Sequence, residues 1–448
     1  MHDRFDRRAF MAATSVAFTA LVAACGDGSG GGVTAPLPTS PPTTPQPVGY
    51  GALLSDPAAL LDLPGGFSYR VISSEGMAMS DGGQVPGNCD GMGCFALPGG
   101  RIALVRNHEL SPGAAAGAIL ASGYDSTTAG VVLPGGTTTI VLDSATLAVQ
   151  AQFRSLAGTI RNCAGGVTPW GSWLSCEEDV TNAGSGVGRD HGYVFEVPAG
   201  ATAPVAPVPL TAMGRFRHEA AVVDPASGAV FLTEDRDDGL LYRFLPSQPG
   251  NLAAGGQLQA LAFVDGRTDT RNWSSAAITA GQWASLRWID LSQPQAPVDD
   301  LRQRGLAAGA ARFARGEGIH VGRGELYFVC TSGGAARLGQ VFRLDLSGTG
   351  SRLQLFYESN DASQFNFGDN ITIAPDGQLI VCEDQGMPPI DNHLRGITPQ
   401  GVAYPIARLR TSSELAGACF SPDGRILFLN VYSPGRTLAI AGPWQHLA

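Results

Sequence analysis

A six-bladed, all-β propeller with an insertion between its third and fourth blades is the fold that this 448-residue sequence predicts. Three observations point there. Gly accounts for 60 residues and charged residues for only 15%, so turns abound and the charged faces of surface helices are scarce. A Gly-bearing turn, then alternating apolar residues, then a polar terminus recurs six times, at Gly99, Gly171, Gly228, Gly324, Gly377 and Gly424. These glycines lie 72, 57, 96, 53 and 47 residues apart, near the roughly 40–50 residues of a four-stranded blade with two longer gaps.

Each copy reads as a hairpin, because apolar residues alternate on both sides of the turn. Further strand-like segments follow at 138–143, 192–197, 241–244 and 340–345. Residues 66–73 have no blade of their own and are expected to complete the sixth, closing the ring. The longest gap holds residues 247–312, read as an insertion over one face, with 276–289 expected to be partly helical.

The first 25 residues read as an address, not as fold. Arg7-Arg8 precedes an apolar run over 11–24, which looks like a twin-arginine signal. The run ends at Val22-Ala23-Ala24-Cys25, a pattern that resembles a bacterial lipobox and makes Cys25 the expected site of lipidation. Residues 26–48 are mostly Gly, Ser, Thr and Pro and read as a tether, so the propeller is expected over 49–448. The implied location is the cell envelope, with membrane contact only through the lipid. Seven cysteines remain, an odd number, and Cys89 and Cys94 are near enough in sequence to close a small disulfide loop.

Composition also excludes chemistry. The sequence contains no lysine; all 29 basic residues are Arg. That removes P-loop nucleotide binding and Schiff-base catalysis. A formal charge of −10 opposes binding to nucleic acid. Neither a helical His-Glu-x-x-His zinc motif nor a Gly-x-Ser-x-Gly nucleophile turn occurs.

What remains is acidic. Asp90, Asn162, Glu219, Glu317, Asp369 and Glu414 precede their marking glycines by seven to ten residues. A second tier ends the strands after the turns: Asn107-His108-Glu109, Cys176-Glu177-Glu178, Glu234-Asp235 and Cys382-Glu383-Asp384. Propeller geometry would gather both tiers at one channel mouth. So many carboxylates cannot all ionise side by side without bound cations. Oxygen ligands suit calcium, whereas a thiolate beside two glutamates suits a transition metal.

Several segments resemble the PhoX-type alkaline phosphatases. They are Asn162-Cys163-Ala164-Gly165-Gly166 with 168–178, Gly214-Arg215-Phe216-Arg217-His218-Glu219-Ala220, Glu234 to Gly239, Phe313-Ala314-Arg315-Gly316-Glu317 and Phe420 to Gly424. The chain would be a short member of that family. The resemblance implies a phosphate-monoester hydrolase with iron and calcium at the channel mouth. It assigns Cys176 as the thiolate shared by the irons, and Glu219 with Glu234 or Asp235 as further iron ligands. Glu177, Glu178, Glu317, Asp369 and Asn370 would hold calcium, and Arg315 would grip the phosphate oxygens. The expected partner is a small phosphate ester. Two other readings stay open, a calcium-dependent lactonase-type propeller and a non-catalytic binding propeller of the envelope.

Overall fold

The computed structural model describes residues 48–347 and 352–445. The expected leader, Cys25 and the tether up to residue 47 lie outside the described residues. Apart from the helix Leu301–Ala307 and two short 3₁₀ turns, the regular elements described are strands.

The strands form six antiparallel meanders. The first is Cys89–Leu97, Arg101–His108, Gly135–Asp143 and Val149–Thr159. The second has three strands, Asn162–Val167, Ser172–Glu177 and Val194–Pro198. The third is His218–Val223, Val230–Glu234, Gly239–Pro246 and Gly256–Phe263, and the fourth Gly316–Gly322, Glu325–Cys330, Gln340–Asp345 and Arg352–Glu358. The fifth is Gly368–Ile373, Leu379–Glu383, His393–Ile397 and Ala403–Leu409, extended outward by Leu61–Pro64 and Leu53–Leu54. The sixth joins Leu415–Phe420, Ile426–Val431 and Arg436–Ala441 to Ser68–Ser74 from the start of the domain. That last pairing, with Leu438 opposite Val71 and Ile440 opposite Tyr69, is the closure expected of residues 66–73.

Each meander's first strand lies against the first strand of the next, and the sixth returns to the first. The result is a propeller-like ring. Alternation puts every second side chain between neighbouring meanders, and six apolar clusters fill the six gaps. Between the third and fourth, Phe313, Phe328 and Phe342 have ring centroids 5.2 Å apart. All three are buried, each worth about 1.5–3 kcal/mol by area.

Three expectations fail. Part of 247–312 is not insertion: Gly256–Phe263 is the fourth strand of the third meander, and Trp283–Asp290 pairs with it on one side and with Arg352–Glu358 on the other. The segment 276–289 therefore carries strand rather than helix, since cross-sheet pairing outweighs a weak local preference. Cys89 and Cys94 are both free thiols on the strand Cys89–Leu97. At about 3.3 Å per strand residue they stand too far apart for a disulfide.

Candidate metal centre

The first two strands of every meander share one local design. Each hairpin opens on a paired rung: Cys89 with His108, Asn162 with Glu177, His218 with Glu234, Gly316 with Cys330, Gly368 with Glu383 and Leu415 with Val431. A register shift interrupts the ladder directly past the rung in the first five and one pair further on, past Ala416 with Asn430, in the sixth. Such a bulge re-aims the residues beside it. The residue after the rung on the first strand, the inner position, is Asp90, Cys163, Glu219, Glu317, Asp369 and Ala416 in turn. The residue after the rung on the second strand has left the ladder. This rim position holds Glu109, Glu178, Asp235, Thr331, Asp384 and Tyr432.

One hydrogen bond recurs around the ring. Each rim residue's N–H donates, at 2.8–3.4 Å, to the carbonyl of the residue before the rung on the first strand, a shoulder occupied by Asn88, Arg161, Arg217, Arg315, Phe367 and Glu414. Four shoulders, Asn88, Arg161, Arg315 and Phe367, adopt left-handed backbone with φ of 46–56°. The same strained turn recurs because the chain must enter the ring and reverse beside it each time.

These positions converge on a single mouth of about 220 Å³. It is lined by nine carboxyl groups, Asp90, Glu109, Glu178, Glu219, Asp235, Glu317, Asp369, Asp384 and Glu414, with Cys163, Tyr432, Arg161 and Arg315. Cys163 Sγ lies 3.4 Å from Asp90 Oδ2 and 3.3 Å from Glu219 Oε1. Arg161 pairs with Glu109 at 2.6 Å and with Glu178. Arg315 donates to Asp235 at 2.7 and 3.0 Å and to Glu317 at 3.0 Å. Tyr432 donates its hydroxyl to Glu109 at 2.7 Å.

Two arginines cannot balance nine acids. Burial, then the charges of Glu109 and Asp369, pushes the Asp90 carboxyl well above its ordinary range. Burial, then Glu317 and Asp369, does the same to Glu219. Glu178 and Asp369 are each pushed up to about 7, first by burial. Burial and then Asp90 raise the Cys163 thiol. Conversely, Glu317 first among its neighbours holds Arg315 firmly protonated.

The donor set fits bound cations. Asp90 Oδ1 is buried without a hydrogen-bond partner, a costly state unless something outside the protein satisfies it. Three subsets, Asp90 with Glu109 and Cys163, Cys163 with Glu178 and Glu219, and Glu219 with Glu317 and Asp369, each bring their ligand atoms within 4.8 Å of one another. The lone sulfur belongs to two of them, which fits a transition metal there, and the all-oxygen third fits a hard ion.

Of the residues singled out by sequence, Glu178, Glu219, Asp235, Arg315, Glu317 and Asp369 meet at this mouth. Cys176, Glu177, Glu234 and Asn370 do not. Cys176 stands one residue before the rung and faces the apolar cluster with Leu174 and Val194. Glu177 is the rung itself, fully buried, accepting from the N–H groups of Ile160, Gly192 and Tyr193 at 2.9–3.2 Å and contacting His191 Nδ1 at 2.7 Å. Glu234 occupies the same position and accepts from Leu240 N–H and, at 2.7 Å, from the Tyr242 hydroxyl. Strand alternation explains both: rung and rim residues project oppositely, so only the second acid of each pair reaches the mouth. Asn370 sits one step below, its amide donating to Asp369 at 3.1 Å and accepting from Gly417 N–H at 2.7 Å. Asn162, expected in the inner tier, is likewise a buried rung residue that donates to Ser175 Oγ.

Sequence reasoning missed Cys163, Arg161 and Tyr432. The signal available was the small residue after five of the six inner positions, Gly91, Ala164, Ala220, Gly318 and Gly417, which marks where first strands touch; Asn370 follows the other, Asp369. A Cβ on Gly91 would meet Ala164 Cα at 2.5 Å, and one on Gly318 would meet Ile371 N at 2.6 Å.

Comparison with known proteins gives a consistent picture. The family model for alkaline phosphatase PhoX matches residues 48–146 and 134–435. The structure is similar to that of Pseudomonas fluorescens PhoX in complex with vanadate, described as a transition-state analogue, with a TM-score of 0.68 and 19% identity over 87% of this chain and 97% of that one. A gluconolactonase from Xanthomonas campestris gives a TM-score of 0.37 and 13% identity over 80% and 97% of the two chains. The Swd1 β-propeller domain of Myceliophteria thermophila gives 0.41 and 12% over 80% and 97%. No curated protein matches significantly. The family model spans most of the chain and the fold agrees with it: this chain belongs to the PhoX alkaline phosphatase family.

Proposed function

We propose that this chain is a metal-dependent phosphate-monoester hydrolase of the bacterial envelope. In this reading the six meanders are six blades, and the segment between Phe263 and Arg312 is an insertion tying the third to the fourth. The observation that carries the proposal is the convergence of nine carboxyl groups, one sulfur and two guanidinium groups on a single mouth, in a PhoX-family chain.

Iron would be held around Cys163, by Asp90, Glu109, Glu178 and Glu219, and calcium by Glu219, Glu317 and Asp369 with neighbouring rim acids. When bound, these cations supply Lewis-acid charge to the phosphate oxygens and an activated nucleophile.

The chain's own residues do the rest. Arg315 and Arg161 offer planar paired donors from two sides of the mouth, which suits the equatorial oxygens of a phosphoryl group. Each is held by the rim acid of the preceding hairpin, Asp235 for Arg315 and Glu109 for Arg161, so its orientation is set before substrate arrives. Below the acids, the small residues of the first strands close the axis to a narrow, largely apolar throat that limits water entry from beneath.

Elemental analysis of protein purified from an exporting host, with assays on an aryl phosphate and a lactone, tests the proposal. Iron, calcium and phosphatase activity together are expected. Lactone hydrolysis alone, or bound metal without hydrolysis, would overturn it. The leader supports export with a lipid anchor at Cys25, checked by fatty-acid labelling that a Cys25→Ala variant loses. Among the described residues no helix is long and apolar enough to cross a membrane.

A further inference from the structure

The fifth hairpin borders a second cavity that the mouth does not use. Its shoulder Phe367 and rim residue Asp384 are joined by the bond from Asp384 N–H to the Phe367 carbonyl at 2.8 Å. The residue beyond each along the chain, Asn366 before the shoulder and Gln385 after the rim, lines a polar cavity of about 490 Å³ together with Ser363, His393, Arg395 and Arg408. Asp384 lines the mouth and Gln385 this cavity. Consecutive Cα atoms are about 3.8 Å apart, so a single step of the chain leads from one site to the other.

The charges of this cavity are balanced in pairs. Arg395, only 3% exposed, donates its Nε to Glu383 at 2.7 Å, and Arg408 donates to Asp391 at 2.6 Å. Glu383 is itself held by the N–H groups of Asn366 and His393 at 2.8 and 3.0 Å, so the Arg395 guanidinium is fixed in place. What stays open is hydrogen-bonding capacity. Neither Nη of Arg395 meets an acceptor among the described residues, although the side chain is buried and lines the cavity. Asn366 is buried, donates its amide to Gln385 Oε1 at 3.0 Å, and leaves its own Oδ1 buried without a donor. His393 Nδ1 lies 3.1 Å from the Asp391 carbonyl, which leaves Nε2 unengaged among the described residues.

A buried acceptor left without a donor is costly unless a ligand supplies one. Paired charges offer no net attraction to a second anion, and Ala362 and Pro389 provide little apolar lining. Idle donors beside an idle acceptor suit hydroxyl groups, which donate and accept at once. We propose that this cavity is the subsite for the alcohol half of the ester, and that the alcohol is a neutral polyol of about the size of a hexose. The cavity's 490 Å³ falls within the roughly 300–1,000 Å³ of small-molecule sites. The inference rests on the phosphatase reading and deepens it, since it names the class of substrate.

The test compares kcat/KM for glucose 6-phosphate and cyclohexylmethyl phosphate, two primary-alcohol esters with a six-membered ring that differ in hydroxyl groups, with phenyl phosphate as the reference. The native enzyme should prefer glucose 6-phosphate by about tenfold, the worth of one or two net hydrogen bonds. Ala362→Trp, at an exposed position that lines the cavity, fills it and should abolish the preference, chiefly through KM, with phenyl phosphate turnover unchanged. Asn366→Leu, close in size, removes the idle acceptor and should lower the preference about threefold. Ala362→Ser should keep it. A native enzyme that hydrolyses phenyl phosphate but shows no preference, or a preference unmoved by both Ala362→Trp and Asn366→Leu, overturns the inference and leaves the phosphatase reading standing. A native enzyme inert toward all three esters overturns that reading and takes the inference with it.

Discussion

The sulfur at the mouth is decided by one residue of register. Cys163 follows its rung and joins the acids, whereas Cys176 precedes its rung and joins the core, where burial alone lifts its thiol above the ordinary range. Cys163→Ala is therefore expected to lose iron and at least about 10²-fold in kcat, on the scale of removing a site ligand or its support. Cys176→Ala should keep both and cost about 1 kcal/mol of stability as a small core truncation. Elemental analysis with an aryl phosphate assay separates the two, and iron retained by Cys163→Ala would refute the assignment. Arg315→Ala should lower kcat/KM about 10²–10³-fold, and Arg161→Ala by a comparable factor, if both grip the phosphoryl oxygens. The sequence points to the acids of the mouth because acids are rare in this chain and cluster at strand ends. Counting back from the turn glycines stops one residue short of the sulfur, at Asn162, for a physical reason: turns between the paired strands vary from two to six residues. Counting back from the turn glycine therefore cannot resolve a single position.

Hairpins, not single residues, are what hold the ring of ligands in place. The residue before the rung on the second strand clips the next hairpin: Asn107 donates to the Cys163 and Ala164 carbonyls at 2.9 and 2.7 Å, Thr233 to Glu317 at 2.6 Å, and Asn430 to Asp90 at 2.5 Å. Each clip anchors the backbone of an inner-position residue in its neighbour. Asn107→Ala should thus leave the fold intact and weaken iron binding by about 10–100-fold, as for other groups that orient metal ligands, measured by competition with a chelator. Gly318→Val is harsher. With backbone closer than 3 Å to its would-be Cβ, overpacking is expected to cost about 3 kcal/mol or more and to show as a lowered melting temperature. The repeat was legible because strand alternation and turn glycines recur wherever a blade does. The bulges and clips were not, since a bulge leaves no composition of its own and a clip is made by Asn, Thr or Asn at positions that carry Cys176 and Cys382 in other hairpins.

At the scale of the whole molecule, the ring places like charges where only ions can reconcile them, so metal content and stability are linked through pH. Without cations, Glu178 and Asp369 are pushed up to about 7 in the folded protein, with burial the leading cause, and burial raises Asp90, Glu219 and Glu317 well above the ordinary carboxyl range as well. In the unfolded chain all would titrate near 4. The folded state therefore holds more protons between these limits. Its stability is greatest below about pH 4 as far as these groups are concerned and falls as pH rises through 7. Chelated protein should melt about 5–10 °C lower at pH 8 than at pH 5, a shift expected from several buried carboxyls acting together. Loaded protein should show the reverse trend or none, because a cation binds the ionised carboxylates and stabilises the folded state in proportion to its affinity. Thermal melts across pH, with and without chelator, check both halves. A chelated protein as stable at pH 8 as at pH 5 would mean that the acids relax apart without ions, and that the ring alone does not hold them together.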